Sequence, residues 1–297
     1  MESRFKSLSI FEFQALFPDD ASCLTHLSKQ KWADGFKCRY CGHGNYCGGP
    51  RPHDRQCTSC NYTESPTAHT LFHKVKFPLV KAFWIVYYLS STKKGMATTE
   101  LSRKLELRQK TCWLFKRKVM RAMRSSGRHP MEGTVEVDEA VVGGQEENVR
   151  GRANKKKRLV VFAIERKGKG VSRMYGKVIP SAHAKTLGGF MKQTIDPKAN
   201  VRTDGWTGYT PLKKRFKNLQ QEKAQPKGKN FKEMHRVIMG FKGWLRGVHH
   251  HASHLQAYVD EYCFRFNRSL MKEGVFENLL QRMMRTEPCP YRTLINA

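Results

Sequence analysis

Four cysteines constrain this chain more than any other feature. Cys38 and Cys41 form one Cys-x2-Cys pair, Cys57 and Cys60 form another, and fifteen residues separate them. Two thiolate-bearing turns at this spacing suit one tetrahedral zinc ion, for which soft, anionic sulfur is a favoured donor. A site of four cysteines leaves no open position for substrate. The quartet therefore reads as a fastener, and chemistry has to be sought elsewhere. Gly42 and Gly44 supply the permissive backbone that such turns need. Cys47, His43 and His53 stand near enough in sequence to replace one member of the set.

Charge narrows the partner. Lys and Arg number 55 against 25 Asp and Glu, a formal net charge of +30. So large an excess favours a polyanion, because binding releases counterions condensed on a phosphate backbone. An acidic membrane surface would also attract it, but no apolar run reaches the length of a span and no signal-peptide pattern heads the sequence. Nucleic acid is the expected partner. The nine cysteines are odd in number and too sparse for a small disulfide framework, which fits a reducing cytosol. With 297 residues, 39% of them hydrophobic, two or three modules are expected.

Along the chain, Phe5, Leu8, Phe11, Phe13 and Leu16 follow a helical pattern that ends near Pro18. A ribbon follows, with Trp32, Phe36, Tyr40 and Tyr62 available as a small apolar cap. Leu79 to Leu89 reads as a buried helix. Gly95–Leu105 and Leu107–Lys118 read as two amphipathic helices around a short turn, a helix-turn-helix pattern. Its second helix would present Arg108, Gln109, Lys110, Lys116 and Arg117 to a DNA groove. After Pro130 the texture turns strand-like. Val135 and Val137 alternate with Glu136 and Asp138, Leu159–Ile164 is an unbroken apolar run, and Val171–Ile179 is a third strand. A helix over 182–195 and a short strand ending at Asp204-Gly205 complete a mixed α/β sheet. Two cation-dense loops, 150–158 and 213–232, are solvated surface or polyanion contacts, and the final third is helical.

Asp138 and Asp204 each end a strand, where α/β sheets assemble their sites. Two carboxylates meeting there repel each other unless a cation lies between them. Magnesium suits such a pair, because it accepts phosphate oxygens and water alongside one or two carboxylates. The simpler reading of Asp204-Gly205 is a turn.

Three motifs carry a family resemblance: Asp138-Glu139-Ala140-Val141-Val142-Gly143-Gly144, Thr203-Asp204-Gly205-Trp206-Thr207-Gly208-Tyr209, and the block Tyr258 to Arg268. Together with the ribbon they resemble ISXO-type insertion-sequence transposases over about 17–268. That resemblance implies an RNase H-like catalytic domain behind a zinc ribbon and a helical region. It implies that Asp138 and Asp204 are the first two carboxylates of a DDE-type site holding Mg2+ or Mn2+. It also implies that Lys242 assists DNA contact beside that site. Where many relatives carry Glu seven residues before this lysine, this chain has His235. Imidazole binds a divalent metal but suits magnesium less well than carboxylate does. Glu233 is the alternative, and would serve only if its segment were extended. His249, His250, His251 and His254 read as phosphate contacts or solvated side chains rather than metal ligands, since consecutive histidines do not share a helix face.

The expected organisation is an N-terminal helical segment (1–30), a zinc ribbon (31–67), a helix-turn-helix-like region (68–128), an RNase H-like catalytic domain (129–275) and a C-terminal tail (276–297). The implied function is metal-dependent cleavage and strand transfer at terminal inverted repeats of double-stranded DNA. The protein would act in the cytoplasm, on the nucleoid if bacterial, as a homodimer or larger assembly. The rivals are a catalytically inactive DNA-binding regulator derived from a transposase, and a nuclease that cuts without joining.

Overall fold

Ser9 and Asp19 each start a helix by the same reciprocal device. In the computed structural model, which describes residues 8–143, 157–223, 225–249, 254–269, 271 and 274–295, each side chain accepts the backbone N–H three residues on. The side chains of Glu12 and Ser22 return the bond. The helices are α1 (Ile10–Leu16) and α2 (Asp20–Lys31). Three antiparallel strands follow, β1 (Tyr46–Gly48), β2 (Arg55–Cys57) and β3 (Thr63–Glu64). Their core is small, built on Trp32, Phe36, Cys38 and Cys57. The Arg55 guanidinium lies 4.3 Å from the Trp32 ring centre and 4.0 Å from that of Tyr46, so cation–π contact extends the packing.

Helix α3 (Leu79–Ser91) buries seven of its residues, and α4 (Thr98–Leu105) and α5 (Gln109–Met123) pack against it and each other. Glu106, in a left-handed conformation at φ 50°, ends α4 and makes the turn into α5. Arg108, Gln109 and Lys110 are exposed at the start of α5, as expected. Lys116 and Arg117 depart from expectation, being only 4% and 6% exposed. The Lys116 Nζ donates to the Met96 carbonyl at 2.8 Å, and the Arg117 guanidinium lies 5.9 Å from the Trp113 ring centre. Both are built into the packing through their long stems.

The chain divides into two units: residues 1–123 with 271–297, and residues 124–270. The second unit is built on five strands: β4 (Thr134–Val142), β5 (Arg158–Lys167), β6 (Gly170–Ile179), β7 (Asn200–Asp204) and β8 (Leu219–Glu222). Their order is β6-β5-β4-β7-β8. The first three pair antiparallel, while β7 pairs parallel with both β4 and β8. Strand β8 lies inside a stretch expected as a cationic loop.

Alternation sorts the side chains onto two faces. Val135, Val137, Val161, Ala163 and Val201 pack with Leu187, Phe190 and Met191 of α6 (Ala184–Thr194). Ala140, Val142, Val160, Phe162 and Ile164 face α7 (Lys232–Val248) and α8 (Leu255–Asn267). The apolar run of β5 is thus buried on both sides, which explains its lack of polar alternation. Gly176 permits the approach of α8: a Cβ there would lie 2.7 Å from Val259 and 2.8 Å from Phe162.

Residues 276–297, expected as a tail, begin instead within a helix, α9 (Gly274–Arg285). It buries Phe276, Leu279, Leu280 and Met283 in the first unit. Among the described residues, no helix is long and apolar enough to cross a membrane.

Candidate functional site

The parallel ladder between β4 and β7 brings together the two aspartates singled out in the sequence. Its last paired residues are Val137 and Thr203. The next residue on each strand is Asp138 and Asp204, and adjacent strands run about 4.8 Å apart. By alternation both side chains belong to the face covered by α7 and α8. Asp138 accepts a bond from the Glu139 N–H at 2.8 Å, and Asp204 accepts one from the Trp206 N–H at 3.1 Å.

Tyr209 reports on the same corner from the other face. It is fully buried, and its hydroxyl donates to Glu139 Oε1 at 2.5 Å. Burial holds the hydroxyl proton well above the usual phenol range, and the negative charges of Glu139, Asp138 and Asp204 add to the effect. Three carboxylates therefore lie within electrostatic reach of one oxygen. Both Glu139 and Tyr209 stand inside the sequence motifs, which assign neither of them a role. They stand 70 residues apart on different elements, so only the folded sheet relates them.

Two positions back along the ladder from the aspartates, on the same face, Glu136 and Arg202 are register partners. Glu136 is 1% exposed and accepts from Arg202 at 3.3 Å and Arg166 at 3.4 Å. Burial pushes its carboxyl up, while the two arginines and the Met234 N–H pull it down. Arg202 also grips Glu222 of β8 through two bonds, at 2.8 and 3.0 Å, and donates to the Asn230 carbonyl just before α7. The network ties β4, β5, β7, β8 and the start of α7 around the aspartate pair. Glu136→Ala would leave two arginines facing a buried gap. It is expected to lower the unfolding free energy of the second unit by about 3 kcal/mol in urea melts. A loss below about 1 kcal/mol would show that water satisfies both guanidiniums.

His235 and Lys242 are seven residues apart on α7, two turns of the helix, and so share one flank. His235 is exposed and Lys242 half-buried. Glu233 lies on the opposite flank, paired with Arg236, and its segment is helical rather than extended. Among the described residues, only one group of three or more His, Cys, Asp or Glu has all its ligand atoms within 4.8 Å of one another. It is the cysteine quartet. Asp138, Asp204 and His235 do not form such a group.

The quartet itself is assembled from two matching knuckles. The Gly42 N–H donates to the Cys38 carbonyl at 2.9 Å, and the Asn61 N–H to the Cys57 carbonyl at 3.0 Å. Both Gly42 and Asn61 have positive φ, 77° and 59°. Cys38 Sγ lies 3.6 Å from Cys60 Sγ, and Cys41 Sγ lies 3.6 Å from Cys57 Sγ. Zn–S bonds of about 2.3 Å put tetrahedral sulfurs about 3.8 Å apart, close to these two spacings, and all four sulfurs lie within 4.8 Å of one another, so the group could hold zinc. Cys47, His43 and His53 are not members of the group.

His249 departs from its expected solvated or phosphate-facing role. It stacks on Tyr258 with ring centres 3.8 Å apart, and its side chain is 8% exposed beside Glu261. His254 caps α8. His250, His251, Gly144 and residues 150–156 lie outside the described residues.

Residues 130–267, which include both aspartates, His235 and Lys242, match the ISXO2-like transposase domain family. The second unit holds an ISXO2-like transposase domain. No curated protein matches the chain significantly. The chain is similar to the proteins in two solved structures, a pre-cleavage Mos1 transpososome and the Mos1 strand transfer complex. Each is 13% identical, and the match covers 70% of this chain and 79% and 78% of theirs, with TM-scores of 0.23 and 0.24. At those values the likeness decides nothing about this chain. The transposase domain therefore rests on its own motifs, sheet and family match.

Proposed function

We propose that this chain is an insertion-sequence DNA transposase that binds terminal inverted repeats, cleaves the element ends and joins them to target DNA. The observation that carries the reading is the pair Asp138 and Asp204, side by side at the end of the β4–β7 ladder of the transposase domain. The strand order, with three antiparallel strands followed by two parallel ones, supports an RNase H-like arrangement.

Asp138 and Asp204 would hold divalent magnesium or manganese, and neighbouring carboxylates whose charges repel suit such an ion. When bound, the ions activate an attacking oxygen and stabilise the leaving one at a phosphodiester. The rest falls to the chain. Glu139, held by Tyr209, adds negative charge to the same corner, and the Glu136–Arg202 network fixes the strands that carry the aspartates. His235 is the proposed third ligand, and Lys242, on the same flank of α7, the DNA-contacting cation. The four cysteines would hold structural zinc, and the ribbon with α4 and α5 would grip element ends. Two ends must be held together, which calls for a dimer or larger assembly on DNA.

A second reading, a DNA-binding regulator descended from such an enzyme, draws on His235 lying outside any ligand group with the aspartates. Labelled element ends, plasmid target and either Mg2+ or Mn2+ separate the readings. Joined products support the transposase, cutting alone a nuclease, and binding with no cleavage in either metal the regulator. If His235 is a ligand, His235→Glu should raise activity with Mg2+ relative to Mn2+ by about tenfold, since carboxylate is the harder donor. An unchanged metal ratio would remove His235 from the site.

A further inference from the structure

A cleft of about 700 Å3 lies wholly within the first unit, walled by the end of α2, the first cysteine knuckle, the segment after β3, and α9. Four exposed cations line it from separate parts of the sequence: Lys29 on α2, Lys37 and Arg39 on either side of Cys38, and Arg285 at the end of α9. Three acids also line it, but two are already engaged. Glu64 is buried and held by Lys31 at 2.7 Å, and Glu277 is held by His26 at 3.1 Å. Only Asp34 remains as an exposed acid there. Gathering four like charges around one concavity raises the energy of the free protein, and a polyanion seated in it removes that repulsion.

We propose that this cleft seats the sugar–phosphate backbone of DNA, so that α9 and the ribbon together form one DNA-binding surface. The proposal rests on the transposase reading for its choice of DNA as the polyanion. Arg39 suits the task. Its side chain is 60% exposed, and its 3.9 Å approach to Glu64 is too long for a hydrogen bond, so its planar fork can face phosphate oxygens. The proposal also explains why the Lys31–Glu64 pair is sunk beneath the cleft. It neutralises the one buried acid, so that the rim alone sets the sign of the surface.

The test uses full-length, zinc-loaded protein and a labelled DNA duplex, with affinity measured from about 50 to 300 mM salt. In Lys29→Ala/Lys37→Ala/Arg39→Ala/Arg285→Ala, the slope of log affinity against log salt should become shallower by about 3 to 4, close to 0.9 for each phosphate no longer neutralised. Zinc content and thermal melting should not change, because all four side chains are exposed and Lys31 still neutralises Glu64. A charge-matched variant, Lys167→Ala/Lys169→Ala/Lys192→Ala/Lys198→Ala, removes four exposed cations of the second unit. An unchanged slope in the cleft variant, or an equal change in the charge-matched one, overturns the proposal while leaving the transposase reading intact. Failure of the unaltered protein to bind DNA overturns both.

Discussion

Asp138→Asn and Asp204→Asn are each expected to reduce strand transfer by about 1000-fold or more while leaving DNA binding near its original strength. The substitution keeps shape and one carbonyl oxygen, so the bonds from the Glu139 and Trp206 N–H groups to these side chains survive. Only a negative charge and a metal-ligating oxygen are lost. A divalent ion at a phosphoryl centre is worth several kcal/mol of barrier, and each 1.36 kcal/mol is tenfold in rate. Strand transfer would be measured on labelled element ends and DNA affinity on the same duplexes. If both variants joined DNA as fast as the parent, the aspartates would be reduced to turn formers, and the catalytic account would fall with them.

Cys57→Ser should release zinc and unfold the ribbon. Cys57 is fully buried, and the rest of the ribbon core is little more than Trp32, Phe36 and Cys38. So small an apolar cluster does not hold three short strands by itself, whereas structural zinc supplies about 10–16 kcal/mol of apparent binding free energy. Metal analysis should find one equivalent of zinc in the parent and none in the variant. Binding to element ends should fall at least tenfold, with the urea transition of residues 124–270 unmoved. Full zinc retention in both Cys57→Ser and Cys38→Ser would refute the quartet as a metal site.

What could be foreseen depended on how local the cause was. The quartet was legible because both knuckles are closed by backbone bonds spanning four residues. The faces of β4 were legible because Val135 and Val137 alternate with Glu136 and Asp138, and burial follows the pleat. Strand β8 was not: Leu219-Gln220-Gln221-Glu222 carries one apolar residue, and its pairing comes from the β7 edge and the hold of Arg202 on Glu222. Lys116 and Arg117 misled because a charged head normally marks the solvent side of a helix. Here, tertiary packing took up the stems and the Met96 carbonyl took the ammonium. The stripe Phe276, Leu279, Leu280 and Met283 has helical spacing, but nothing in its own sequence says which apolar surface it covers. His249 likewise needed Tyr258, brought up by α8, before its ring had a place to stack. At the candidate site, the two aspartates could be named from strand ends. Glu136, Tyr209 and Arg202 matter through which strands are neighbours, and that is a property of the sheet order.

The return of α9 to the first unit bears on how the protein is made. A nascent chain leaving the ribosome presents residues 1–123 early, yet the helix that fills their apolar groove is translated only after the whole of 124–270. The ribbon-bearing unit therefore cannot complete its packing until residues 124–270 have been made, although most of it precedes them in the chain. A chain ending between residues 270 and 274 would keep the whole of 124–270 but lack Phe276 and Leu280, which α9 buries in the N-terminal unit.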